Sequence, residues 1–268
     1  MRLVTYDAGN GSAAGVLMDG EIAPAGPSVR ALLASGEEIE PGDERIPREA
    51  VRLLAPVPDP QKIICLGLNY RDHAQEAGRD IPEHPLWFAK FQNSLIGDGE
   101  PIVLPAAHAE YVDYEAELAV VIGRPAHEVS AEQALEHIAG AMPFNDVSAR
   151  DLQLQNPLWT SGKAIDTFAP CGPALVLMDE IDDLQALTLR TRVNGDVVQE
   201  GTTAEMIFGV AETIAWLSRT MTLLPGDIIA TGTPAGIGAL KGLFLHDGDS
   251  VSVEIDGLGA LTNPVRAE

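Results

Sequence analysis

The chain has 268 residues, enough for one large domain with an appendage or for two, and its 46% hydrophobic and 21% charged residues are the balance of a soluble globular protein. A formal net charge of −23 argues against nucleic acid or an anionic membrane as partner, because either needs a basic face, and it repels a small anionic substrate unless a local cation compensates. Cys65 and Cys171 are too few for a disulfide framework or a thiolate metal cluster; with no apolar run near the roughly 20 residues that span a bilayer and no signal-peptide pattern at the start, a cytoplasmic protein is expected.

Leu3-Val4-Thr5-Tyr6 and Ala14-Gly15-Val16-Leu17-Met18, separated by Gly, Asn and Asp turn residues, predict a small β-meander, and Ser28 is an N-cap for one short helix after it. No cluster of reactive residues lies there. The Pro-rich connector Ala55-Pro56-Val57-Pro58-Asp59-Pro60 sets a boundary near residue 58, between a small N-terminal domain, 1–58, and a larger one, 59–268. A buried-type strand, Lys62 to Leu66, then runs through a tight turn at Gly67 into a short helix capped by Asn69. On that helix His73 and Glu76, at i and i+3, share a face where a carboxylate can orient an imidazole as proton acceptor; the same spacing also describes an ordinary solvated contact. Gly78 to Pro85 is a Pro-interrupted polar loop, either plainly exposed or able to close over a site. Phe88 to Phe91 and Ile102 to Leu104 read as strands, and His108 and Glu110 in the next loop carry no role.

Asp113 to Gly123 reads as one strand, with Asp113, Glu115 and Glu117 on one face and Tyr114, Ala116 and Leu118 on the other. Glu115 and Glu117 are then about 7 Å apart at Cα. Followed directly by the buried-looking run Leu118 to Ile122, two such carboxylates repel each other and lose hydration unless a cation lies between them; the alternative is a hydrated strand end. Oxygen ligands of this kind favour Mg²⁺, Mn²⁺ or Ca²⁺ over zinc. Ser130 to Glu136 predicts a helix, with Ser130 and Gln133 in a capping box. A second apolar run, Ile138 to Phe144, again ends in an acid, Asp146, from which a third metal carboxylate could come. Arg150 and Gln153, at i and i+3, can present donors to an anionic ligand, unless Arg150 only pairs with Asp146 or Asp151.

Gly162-Lys163 lacks the glycine spacing of a phosphate loop, which argues against nucleotide binding, and leaves Lys163 as a candidate partly buried cation. Asn194-Gly195 predicts a hairpin between Thr188–Val193 and Val197–Glu200, and the periodicity of Thr203 to Met221 predicts a core-packing helix pair. Leu224 to Gly238 is a turn, a buried strand and a glycine-rich loop whose amides and threonine hydroxyls can hold a carboxylate or simply make a tight turn. Strands over Ser250 to Ile255 and Leu261 to Val265 close the chain.

Five blocks, Gly67-Leu68-Asn69-Tyr70-Arg71-Asp72-His73-Ala74, Asp113 to Gly123, Asn145 to Asp151, Gly162 to Phe168 and Pro225 to Pro234, closely resemble in order and spacing the fumarylacetoacetate hydrolase family from about residue 60 to the C-terminus. The first 58 residues resemble the small N-terminal domain of bacterial members that act on 2-oxo acids. The resemblance implies an α+β, β-rich fold, a mixed β-roll with a small N-terminal β-meander domain, usually assembled as a homodimer. It implies Mg²⁺ or Mn²⁺ held by Glu115, Glu117 and Asp146, with Asp113 outside the metal set as a structural acid. Carried over residue by residue, Lys163 stabilises an enolate, Arg150 and Gln153 orient the substrate, and Thr231, Gly232 and Thr233 touch its carboxylate. His73 and Glu76 match a dyad that activates water from a flexible lid. The implied activity is hydrolysis of the C–C bond of a 2,4-dioxo acid, such as an acylpyruvate or fumarylpyruvate, through the enolate of a 2-oxo acid. The same enolate serves decarboxylation, tautomerisation or isomerisation of a 2-oxo acid, of the oxaloacetate or 2-hydroxyhepta-2,4-diene-1,7-dioate type, and that is the alternative. A non-catalytic metal-binding scaffold is a third reading.

Overall fold

The structure, a computed structural model, describes residues 1–107 and 109–268, so His108 lies outside the described residues. It is a mixed α+β, strand-rich fold organised on an eleven-stranded sheet. The strand order runs Ile46–Pro47, Glu21–Gly26, Ser12–Met18, Arg2–Asp7, Leu175–Leu177, Ile138–Asn145, Ala116–Ile122, Ile228–Ala230, Ile63–Gly67 and Leu86–Lys90, with Leu53–Leu54 paired to Arg2–Asp7. The N-terminal meander therefore extends the main sheet, through the antiparallel pairs Arg2 with Val176 and Leu3 with Leu175. A five-stranded sheet, Asp196–Thr202, Thr188–Val193, Ser250–Ile255, Gly259–Ala267 and Ile102–Leu104, covers part of one face. Among the described residues no helix is long and apolar enough to cross a membrane.

The strand Ala116–Ile122 lies at the centre because both of its faces are buried. Leu118, Val120 and Ile122 pack with Leu189, Val253 and Ile255, while Ala119 and Val121 pack with Leu3, Ile63, Met142 and Ile228. A strand covered on both sides has no polar face, which is why this stretch reads as an unbroken apolar run.

The expected single strand from Asp113 to Gly123 is two strands. Val112–Asp113 pairs with Ser148–Ala149, and the main strand begins only at Ala116. Between them side chains take the place of the ladder: the Glu115 amide donates to Asn145 Oδ1 at 3.0 Å and the Ala116 amide to Gln199 Oε1 at 3.0 Å. Across the break Asp113 and Glu115 still meet one guanidinium nitrogen, Arg150 Nη2, at 2.6 and 2.7 Å.

Two helix expectations also change, for one reason. Asn69 does not cap the helix Arg71–Glu76; Tyr70 occupies the N-cap position without a side-chain cap. Asn69 is buried and grips the Phe208 peptide, accepting from the Phe208 amide at 2.9 Å and donating to its carbonyl at 3.1 Å. With that peptide held outside helical pairing, Thr203–Met221 forms a 3₁₀ turn, Thr203–Glu205, and one α-helix, Val210–Ser218, rather than a helix pair. Ser28 caps the helix Val29–Ser35 as expected, accepting from the Ala31 amide at 3.1 Å. The predicted Ser130–Glu136 helix is an α-turn, Ala131–Ala134, continued by a 3₁₀ turn, Leu135–His137. The predicted turn at Asn194-Gly195 has both residues at positive φ, 53° and 91°, as a tight two-residue hairpin requires.

Gly162 sits where two short helices, Arg150–Gln153 and Thr160–Lys163, cross. A Cβ there would stand 2.5 Å from the Gln153 amide nitrogen and 2.6 Å from the Ala149 carbonyl oxygen, both backbone atoms that cannot rotate aside. Gly162→Ala should therefore cost about 1–3 kcal/mol in a denaturant titration by overpacking, and it should push apart the helices that carry Arg150 and Lys163. An unchanged midpoint would show that this contact is not tight.

Candidate active site

The antiparallel register that pairs Ala116 with Asn145 sets Asp146 beside Glu115, and the Asp146 amide donates to the Glu115 carbonyl at 3.0 Å. One carboxylate oxygen from each of Glu115, Glu117 and Asp146 lies within 4.8 Å of the others, and all three side chains are buried. Lys163 donates to both Glu115 Oε2 at 2.8 Å and Asp146 Oδ2 at 2.6 Å. Arg150 Nη2 reaches Glu115 Oε1 at 2.7 Å. Its partners are Glu115 and Asp113, and its Nη1 donates to Gln153 Oε1 at 2.9 Å. Asp113 is saturated: it accepts from Arg150 Nε and Nη2 at 3.0 and 2.6 Å, and from the amides of Tyr114, Gly238 and Ala239 at 2.8, 2.8 and 2.9 Å.

One cation in this cluster was not found by sequence reasoning. Lys90, at the end of the strand Leu86–Lys90, is buried, pairs with Asp146 Oδ1 and donates to the Val147 carbonyl at 3.0 Å. A lysine alternating with Phe88 in an apolar strand was the available signal, since an inward-facing ammonium needs a buried acid.

Among the described residues the four acids Asp113, Glu115, Glu117 and Asp146 face the three cations Lys90, Arg150 and Lys163, so with every group ionised the cluster would carry one negative charge in excess. The ionisation of the cluster follows. Burial alone would raise the Glu115 carboxyl, but Lys163 and Arg150 outweigh it and hold that group well below the usual carboxylate range. Glu117 has no ion-pair partner among the described residues, and burial, then the Asp146 and Glu115 charges, outweigh the pull of Lys163 and push it well above its ordinary value. Burial lowers the Lys90 ammonium, whereas at Lys163 the Asp146 and Glu115 carboxylates overcome burial and raise it. Glu117 Oε2 accepts from the Gly232 amide at 3.0 Å, while Oε1 is buried without a hydrogen-bond partner among the described residues. An orphaned carboxylate oxygen, two further acids within reach and an excess negative charge fit a divalent cation, and the all-oxygen donor set fits a hard one.

Above this cluster opens a cavity of about 250 Å³. Glu115, Lys163, Arg150, Gln153, His73 and Thr233 line it. Glu117, Asp146, Thr231 and Gly232 stand behind that lining. The Thr231 hydroxyl donates to the Leu118 carbonyl and the Thr233 hydroxyl to the Ala116 carbonyl, each at 2.8 Å, so both side chains tie the glycine-rich loop to the acidic strand. His73 Nδ1 is 3.7 Å from Glu76 Oε2, beyond hydrogen-bond distance, and that oxygen accepts the Gly236 amide at 2.9 Å instead.

A family model described as fumarylacetoacetate (FAA) hydrolase C-terminal matches residues 62–266, and one described as Rv2993c-like, N-terminal, matches residues 1–56. The chain belongs to the fumarylacetoacetate hydrolase family. It is 44% identical over 239 residues to the mitochondrial oxaloacetate tautomerase fahd2 of Xenopus laevis, a match covering 88% of this chain and 75% of that one. Among solved structures, a 5-carboxymethyl-2-hydroxymuconate delta-isomerase from Mycobacterium smegmatis is similar at TM-score 0.84 and 39% identity, over 100% of this chain and 99% of that one. A fumarylacetoacetate hydrolase from Exiguobacterium antarcticum is similar at TM-score 0.90 and 36% identity, over 100% of both chains. These relatives carry the names of tautomerase, isomerase and hydrolase on one fold, and they support the tautomerase or isomerase alternative better than the hydrolytic reading that led the sequence analysis.

If Glu115, Glu117 and Asp146 hold the ion, Mg²⁺ or Mn²⁺ at a hundredfold its Kd adds about 2.7 kcal/mol of stability. In a chain of this size that raises Tm by about 5 °C. Glu117→Gln and Asp146→Asn should each lose that rise; an undiminished rise in both variants would put the ion elsewhere.

Proposed function

We propose that this chain is a Mg²⁺- or Mn²⁺-dependent tautomerase or isomerase, which moves a proton at the carbon next to the keto group of a small 2-oxo acid. The observation that carries the reading is the cluster of three buried carboxylates at the cavity floor, two of them joined by Lys163. A divalent ion held by Glu115, Glu117 and Asp146 would supply Lewis acidity toward the substrate's carboxylate and keto oxygens and offset the excess negative charge. Lys163, kept protonated by its two acids, would turn a remaining N–H toward the oxygen on which enolate charge develops. Arg150, oriented by Asp113 and Glu115, and Gln153, oriented by Arg150, hold the substrate in register. Thr231, Gly232 and Thr233 bound its carboxylate side through the loop that Thr231 and Thr233 pin to the acidic strand. His73, on the cavity wall, takes and returns the carbon-bound proton.

Hydrolysis of a 2,4-dioxo acid is the second reading, favoured by Glu76 lying within 3.7 Å of His73. A side-chain rotation that frees Glu76 Oε2 from the Gly236 amide and brings it to His73 Nδ1 would make them a dyad able to activate water. We also propose a homodimer. The strand Leu86–Lys90 ends the main sheet, and beside it Trp87 and Leu158 are 44% and 76% exposed, an apolar edge of the kind that association covers. Residues 1–58 would be a small unit serving the main sheet rather than the chemistry.

Two variants test the chemistry, and the unmodified protein's choice between two substrates separates the readings. Lys163→Met should lower the rate of oxaloacetate enol-to-keto conversion, followed by loss of enol absorbance with Mg²⁺ present, by about 100-fold or more. His73→Ala, still binding Mg²⁺, should lower both this conversion and any acylpyruvate cleavage by at least about 100-fold. Wild-type rates in Lys163→Met would sink the proposed chemistry, and acylpyruvate cleavage without oxaloacetate conversion in the unmodified protein would favour hydrolysis.

A further inference from the structure

The cavity has two ends of different chemistry. At the floor every cation is committed: Arg150 to Asp113 and Glu115, and Lys163 to Glu115 and Asp146. The walls above are apolar, formed by Leu66, Phe88, Leu154, Trp159 and Ile237. One more arginine lines the cavity, Arg79, which is exposed and so stands at the solvent side, and among the described residues it has no carboxylate within ion-pair distance. What sets Arg79 apart from the chain's other exposed arginines is its place on the lining of this cavity.

Its backbone is fixed relative to the site. The helix Arg71–Glu76 that carries His73 and Glu76 ends in a turn at Gly78, φ 60°, and the Arg79 amide donates back to the Ala74 carbonyl at 2.9 Å. Arg79 thus follows the proposed proton-transfer residues by less than two helical turns and belongs to the same segment. A planar guanidinium with free donors, set across apolar walls from a floor whose own cations are occupied, matches a second carboxylate at the far end of a short carbon chain. A mono-acid with an apolar tail would satisfy the walls but leave Arg79 unused.

We propose that Arg79 is a specificity-determining residue that binds the distal carboxylate of the substrate, so that the site selects dicarboxylic 2-oxo acids over mono-acids of the same length. The orientation rests on the proposed function, with the 2-oxo acid end at Glu115, Glu117 and Asp146, and the test is chosen so that the two can fail separately. Binding is measured by titration calorimetry on the full chain with Mg²⁺ present, using chain-length-matched pairs: oxaloacetate with 2-oxobutyrate, 2-oxoglutarate with 2-oxovalerate, and 2-oxoadipate with 2-oxohexanoate. Oxalate serves as the probe of the floor alone. The unmodified protein should bind at least one diacid more tightly than its mono-acid partner. Arg79→Gln should weaken that diacid by about five- to ten-fold, with the mono-acids and oxalate changed by less than about two-fold, and Arg79→Lys should recover part of the loss. Equal losses for diacid and mono-acid, or no loss for any diacid, would overturn the proposal. If oxalate fails to bind while an Arg79-dependent diacid preference persists, the reading of the acidic floor falls and that of Arg79 stands; if none of the acids binds, both fall.

Discussion

Asp146 accepts one buried ammonium on each of its oxygens, Lys90 on Oδ1 and Lys163 on Oδ2, and the second of these reaches across to Glu115. That shared set of ion pairs is the constraint on which the site depends. Carboxylates taken out of water are tolerable only when paired and hydrogen-bonded, and removing one partner from such a pair typically costs about 3–5 kcal/mol. Here the pairing is deliberately incomplete. Arg150 and Lys163 satisfy Glu115, two lysines satisfy Asp146, and Glu117 receives only the Gly232 amide. The cluster thus keeps one unmet oxygen among the described residues, and ionising Glu117 would leave one negative charge in excess, which is the electrostatic condition for capturing a cation and then an anionic ligand.

Holding charges at this spacing needs a rigid support, and the sheet provides it. Ala116–Ile122 is packed on both faces, so its start cannot shift without disturbing two apolar clusters. Where the ladder stops, Asn145 and Gln199 bind the amides of Glu115 and Ala116, and Thr231 and Thr233 bind the carbonyls of Leu118 and Ala116. These side-chain bonds let the backbone leave regular pairing without stranding buried polar groups. Asp113 extends the same logic outward, since one carboxylate fixes both Arg150 and the Gly238-Ala239 turn whose neighbours line the cavity. A change at Asp113 would therefore reach the cavity lining through Arg150.

Much of this was legible in the sequence, because burial leaves a plain mark on composition. The apolar runs Leu118–Ile122 and Ile138–Phe144, each meeting an acid at one end, anticipated two neighbouring central strands and the carboxylates at their ends. Local turn chemistry anticipated Ser28 and Asn194-Gly195. What was not legible depends on contacts between residues distant in sequence. Period-two alternation ran Asp113 to Gly123 as one strand because nothing local announces that Asn145 and Gln199, 30 and 83 residues away from their partners, interrupt it. Asn69 read as a helix cap because its true partner, the Phe208 peptide, is 139 residues away. Lys90 was passed over because its meaning lies in Asp146, which is 56 residues further on.

The central claim is that Glu115, Glu117 and Asp146 together bind one divalent ion. The most direct measurement is a crystal structure of the Mn²⁺-loaded protein, with the ion located by its anomalous scattering. The account predicts a single strong anomalous peak among the three carboxylates, about 2.0–2.3 Å from an oxygen of each, with Lys163 drawn off at least one of its acids. Full density for the protein with no peak there, or a peak held by other residues, would contradict it.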